Sequence, residues 1–379
     1  MTTAKYENAT DHDYLLPGGS VVLNSLPKVS LHDHLDGGLR PQTILELASE
    51  IGLSLPAQDA AGLGAWFASQ SDSGSLVEYL KTFDVTIAVM QTREGLARVA
   101  KEFVEDLHAD GVIYGEVRWA PEQHLGRGLS LDDVVDAVQD GIEDGIESVA
   151  LAGGRIRIGQ LVSAMRQADN GLEIAQLAVR HRENGVVGFD IAGPEDGFPA
   201  SRMSEAFDYL AQHYLPTTVH AGEAAGLASI RSALFDGRTL RLGHGVRLAE
   251  DIEVEPADGD SSYVTLGTLS QWVKDREIAL ELSPSSNLQT GAIEQWGSEL
   301  VDHPFDLLYQ LGFRVTVNTD NRLMSNTTLS RELGLLSEAF GYDLADLEVF
   351  QLNAAAASFL PVEDREELAN RISAGFEQA

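Results

Sequence analysis

Two histidines one residue apart, His32 and His34, end a short apolar run in the stretch PKVSLHDHLDG, residues 27–37. Side chains two apart on a strand share a face, roughly 7 Å apart along it, so both imidazoles can close on one metal ion. The spacing alone is weak evidence. With 10 histidines in 379 residues, about a quarter of such a pair is expected by chance. Partners must come from elsewhere in the chain. There is no cysteine, which excludes disulfides, thiolate catalysis and every sulfur-ligated zinc site. Any metal here has nitrogen and oxygen ligands.

Further polar residues stand directly after apolar runs. Asp190 and Gly193 end 186–193, His220 and Glu223 end 217–223, His244 ends 241–245, and Asp320 follows 313–319. Each has a plain structural alternative. A strand-end histidine can be satisfied by backbone hydrogen bonds, Asp320 can be a helix N-cap, and Glu223 can be a first-turn acid favoured by the helix dipole. That all of these hold together, each at a strand end, would be a coincidence. His12, His108, His124, His181, His213 and His303 lie in the leader, helices or loops and read as structural.

The elements that must position these residues alternate in type. Apolar, strand-like pieces fall at 27–31, 111–119, 155–162, 186–191, 217–219, 241–243, 278–282 and 313–317, with helical sequence between them. Alternation argues a parallel sheet, and about eight strands fit an α/β chain closed as a (β/α)₈ TIM barrel. In a barrel every strand end listed above crowds one rim, where barrel enzymes keep their chemistry. A single domain, 27–379, is expected behind an N-terminal leader, 1–26. Residues 41–53 read as a helix and 56–74 as loop or short helices. Residues 75–90 read as a helix with Leu76, Tyr79, Leu80, Phe83 and Ile87 at helical spacing. An acidic surface insertion at 251–263 reads as a solvated loop.

The formal charge of −33, from 26 basic and 59 acidic side chains, repels nucleic acid and anionic membrane, so neither is an expected partner. No signal peptide or bilayer-spanning run is visible, and a soluble, cytoplasmic protein is the default expectation. Oligomeric state leaves no mark in the sequence.

Five pieces, PKVSLHDHLDG, FDIAGPE, TVHAGE, RLGHG and VTVNTDN, resemble in order the signature blocks of the adenosine deaminase family, zinc enzymes on a (β/α)₈ barrel. EVRWAP, SPSSN and NAAAASF resemble it as well. The resemblance implies one Zn²⁺ per chain on His32, His34, His220 and Asp320, a ligand set suited to a catalytic zinc with an open position. It implies zinc-activated water attacking C6 of a purine nucleoside, adenosine or 2′-deoxyadenosine, to release inosine and ammonia in purine salvage. Glu223 is then the acid that protonates N1, and His244 orients or deprotonates the water, which Asp320 also touches. Gly193 meets N3 through its backbone N–H, His34 and Asp36 lie near the ribose 5′ hydroxyl, and the 75–90 helix forms an apolar lid. Where the common pattern has a second aspartate on N7, this chain has Asn321, whose amide can donate to N7 without a protonation requirement.

Three rival readings are a deaminase of adenine, an adenine nucleotide or a modified adenosine, a two-metal amidohydrolase, and a non-catalytic purine-binding relative. Asp36 would repel a 5′ phosphate. A bridging lysine for two metals is missing near Asp190, and all four ligands and Glu223 are present.

Overall fold

The computed structural model describes residues 7–256 and 262–379. Its strands are β1 (Lys28–His34), β2 (Val112–Trp119), β3 (Arg157–Met165), β4 (Val186–Ala192), β5 (Thr218–Ala221), β6 (Arg241–His244), β7 (Ile252–Pro256), β8 (Ser262–Leu266), β9 (Ala279–Leu282) and β10 (Val315–Val317). Strands β1 to β4 pair in parallel in that order, and β5, β6, β9 and β10 do the same. Single parallel bridges join the two sheets at both seams, Phe189 to Thr217 and Asp33 to Asp320. At the second seam Asp320 N–H donates to His32 O at 2.9 Å and His34 N–H to Asp320 O at 2.8 Å. The eight parallel strands thus run round as the expected (β/α)₈ barrel. The second seam also ties the backbone of Asp320 to that of the two histidines.

Strand β1 is buried along its whole length, because one face meets the surrounding helices and the other the barrel interior. Val29 and Leu31 join the main hydrophobic core, while His32 turns inward to Glu281. The interior below the rim is charged. Arg118 donates to Asp190 Oδ2 at 3.1 Å and to Glu281 Oε2 at 2.7 Å. Arg241 donates to Glu281 Oε1 and Glu116 Oε2, both at 2.6 Å, and stacks on Phe359 with its guanidinium carbon 3.7 Å from the ring centre. All five charged residues are essentially inaccessible. Desolvating an ion costs several kcal/mol, about what pairing and hydrogen bonding must return, and here each charge has at least one opposite partner.

Two expectations change in detail. The 75–90 stretch is two short helices, Leu76–Leu80 and Phe83–Val89, separated where Lys81 and Thr82 donate to carbonyls three residues back. The flanks of the 251–263 stretch pair as an antiparallel hairpin, β7 with β8, rather than a loop. Alternating Ile252 and Val254, with Tyr263 opposite Glu255, supply its strand-forming side chains. Residues 257–261 lie outside the described residues. The 56–74 stretch contains a helix, Ala60–Ser71, capped by Asp59. Among the described residues no helix is long and apolar enough to cross a membrane.

Candidate metal centre and active site

The barrel brings His32, His34, His220 and Asp320 together, with one donor atom from each lying within 4.8 Å of the others. Asp320 Oδ1 is 3.3 Å from both His32 Nε2 and His34 Nε2, and His34 Nε2 is 3.2 Å from His220 Nε2. Donors that share an ion at bonds of 2.0–2.1 Å stand about 3.3 Å apart, so these three separations suit one shared ion. The layer beneath decides which ring nitrogens are available. Glu281 is held well below the usual carboxylate range, because Arg118 and Arg241 outweigh the effect of its burial. Asp190 is lowered likewise, with His220 and Arg118 outweighing burial. Both therefore only accept. His32 Nδ1 lies 3.0 Å from Glu281 Oε2, and His220 Nδ1 lies 2.8 Å from Asp190 Oδ2, so each ring keeps its hydrogen on Nδ1 and turns the Nε2 lone pair toward the cluster. The His32 lone pair and the Asp320 carboxylate, facing each other at 3.3 Å, are mutually repulsive unless a cation joins them. Carboxylates behind ligating histidines are a recurring device for this.

Above the cluster a cavity of about 560 Å³ is lined by His34, Asp36, Gly193, Glu223, His244 and Asn321, among others. A larger cleft of about 750 Å³ beside Arg40, Asp106 and Asp110 holds none of these residues. His32 lies beneath the cavity floor, fully buried. Leu76, Tyr79, Leu80 and Phe83 wall the cavity, so the helical pair at 76–89 covers this site as well as packing on the core. His244 and Asp320 both adopt left-handed backbone, with φ of 62° and 59°, a conformation costing an L residue about 1–2 kcal/mol. Such turns at strand ends swing the side chains off the strand line into the cavity. Gly193 has φ 97°, and a Cβ there would meet Gln167 Oε1 at 2.6 Å. Asn321 packs over Gly37, where a Cβ would sit 2.0 Å from its Oδ1.

Glu223 is held from two sides. Its loop wraps the Glu195 carboxylate, which accepts the N–H groups of Gly222, Glu223, Ala224 and Ala225 at 2.6–3.1 Å. Its side chain receives the Thr290 hydroxyl on Oε1 at 2.9 Å. Burial, with the Asp320 carboxylate close by, pushes the Glu223 carboxyl well above the usual range. Both effects favour the protonated form of the group. Glu223 Oε2 faces His244 Nε2 at 3.6 Å. Ser286 donates to Asp320 Oδ2 at 2.6 Å and holds that carboxylate from the other side.

The sequence profile described as adenosine deaminase matches residues 27–375. The chain belongs to the adenosine deaminase family. The adenosine deaminase of Mycobacteroides abscessus is 54% identical over 346 residues, 91% of this chain and 93% of that one. Among solved structures, Arabidopsis ADAL complexed with IMP superposes with a TM-score of 0.77 at 26% identity, covering 94% of this chain and 98% of that one. A cog1816 amidohydrolase from Burkholderia ambifaria, solved with bound Zn, shares the fold with a TM-score of 0.80 at 21% identity, covering 98% of each chain.

Within this adenosine deaminase fold the structure brings together every site residue read from sequence. It adds others that sequence reading passed over. Glu281 stands inside the apolar run 278–282, and a charge in a buried strand was its one visible signal. Glu195 and Asn287 lie inside quoted motifs without a role, and Thr290 follows one. His303, read as structural, is a buried neighbour of Asn287, and nothing around it in the sequence marks it.

Proposed function

We propose that this chain hydrolyses adenosine, and 2′-deoxyadenosine with it, to inosine and ammonia, with one Zn²⁺ held by His32, His34, His220 and Asp320. The observation that carries the reading is a His₃Asp set gathered within 4.8 Å at the floor of one cavity that Glu223 also lines. The bound Zn of the Burkholderia protein supports the choice of metal, and the relatives' adenosine deaminase names support the substrate.

Bound there, Zn²⁺ would lower the pKa of a water from 15.7 to about 7 and so supply a nucleophile near neutral pH. The chain's own residues do the rest. Gly193 N–H meets the purine N3, and Asn321 Nδ2 donates to N7. Glu223 passes its proton to N1, which makes C6 electrophilic. The water oxygen bonds to C6; one of its hydrogens goes to the leaving amino group and the other returns to the Glu223 carboxylate, so the C6–N bond breaks, ammonia leaves and C6 becomes the carbonyl of inosine. His34 and Asp36 face the ribose 5′ hydroxyl, and Asp36 disfavours a phosphate there. The apolar wall of Leu76, Tyr79, Leu80 and Phe83 keeps bulk water from the ring. Ammonia release by zinc-quantified protein with adenosine, adenine and AMP in parallel tests the reading. Rapid release from adenosine alone is expected. Faster release from AMP or adenine would replace the substrate assignment.

A further inference from the structure

Asn287 and His303 are buried residues that hold no metal and do not line the cavity, yet they dictate what His244 offers to it. Phe305 N–H donates to His303 Nδ1 at 3.0 Å, and a backbone N–H has no acceptor role. His303 Nδ1 is therefore bare, and the neutral ring carries its hydrogen on Nε2. That nitrogen lies 3.2 Å from Asn287 Oδ1, which accepts it. The orientation of the Asn287 amide follows, because the reverse placement would set an N–H₂ against the ring N–H. Asn287 Nδ2, which only donates, then faces His244 Nδ1 at 3.0 Å. His244 Nδ1 accepts, so its hydrogen sits on Nε2, the nitrogen turned toward Glu223. Burial keeps the His303 ring neutral, pushing it down to about 3.

We propose that Asn287 and His303 are positioning residues that lock His244 in the Nε2–H tautomer, so that His244 presents an N–H and not a lone pair to the reacting oxygen. The inference rests on the place given to His244 under the proposed function. It narrows that residue's part to orienting the oxygen by hydrogen bonding. A locked tautomer is worth a large share of the rate when a histidine acts at one face only.

Two-bond ¹H–¹⁵N spectra of histidine-labelled, zinc-loaded protein decide the matter, with the His244 signals assigned by their loss in His244→Ala. The wild type should show a protonated Nε2 and a bare Nδ1 on His244; a protonated Nδ1 would overturn the proposal without any variant having to fold. Asn287→Asp sets a carboxylate against Nδ1 and should draw the hydrogen there. In that variant kcat should fall about 10- to 100-fold, with zinc content unchanged and KM for adenosine within about threefold. A switched tautomer with unchanged kcat would refute the functional part. His303→Phe should let the Asn287 amide turn and mix the tautomers, while His303→Gln, which keeps an N–H donor for Asn287, should preserve the wild-type spectrum. Near-normal turnover in His244→Ala would instead remove His244 from the reaction and leave the tautomer result standing.

Discussion

The rim of the barrel and the layer directly beneath it use the same residue types in opposite ways. Below the rim, Arg118 and Arg241 meet Asp190, Glu281 and Glu116, and every charge in the network has an opposite charge beside it. At the rim, Asp320 faces the imidazoles of His32 and His34, and Glu223 stands near Asp320 with no lysine or arginine among the described residues in ion-pair contact with it. The lower layer is a self-contained frame. The upper one is complementary to things that bind. The frame also fixes the ring hydrogens of His32 and His220 away from the rim, so the difference between the layers is what makes one serve the other.

The strongest way to test this division is at the acid. Glu223→Gln keeps the shape and removes the proton, and kcat should fall about 10²- to 10⁴-fold with metal content intact by elemental analysis. Near-normal turnover would take Glu223 out of the chemistry. One layer down, Glu281→Gln leaves Arg118 and Arg241 with less charge and His32 with a weaker acceptor. Urea denaturation should show a loss of about 3–5 kcal/mol, and chelator competition a metal affinity about 10- to 100-fold weaker. Lost stability with unchanged metal affinity would make the lower layer a scaffold only. Asn321→Ala removes one neutral hydrogen bond to the purine and should raise KM for adenosine between about twofold and tenfold; unchanged kinetics would exclude it from the site.

The smallest effect concerns imidazoles buried away from the rim. Burial lowers His124 to about 4 and His303 to about 3, against about 6.5 in an unfolded chain. Between those values the unfolded chain binds a proton on each ring and the native protein does not. Stability therefore falls as pH drops from about 6.5 toward 4, by about 1.4 kcal/mol per pH unit for each group. His124→Gln should reduce the loss measured between pH 6.5 and pH 5 by denaturant titration. An unaltered difference would show that other groups set the acid limit.

The barrel and the rim residues were legible because their signals are local. An apolar strand followed by His-x-His, His-x-x-Glu or an aspartate reads in a window of a few residues, and the order of such windows is the order of the strands. Glu281, Arg118, Thr290 and Asn287 were not legible as site residues. Glu281 bonds Arg118 across 163 residues of sequence, and Thr290 bonds Glu223 across 67. Such pairings leave no periodicity or spacing to read.

The sequence by itself determined the ligand types, the exclusion of thiolate chemistry and the fold class, since these depend on composition and on short-range alternation. Tertiary structure alone decided which nitrogen of His32, His220 and His244 carries its hydrogen and why the Glu223 carboxyl is pushed above its usual range. Those are properties of what surrounds a group, and in this chain the surroundings are assembled from opposite sides of a closed barrel.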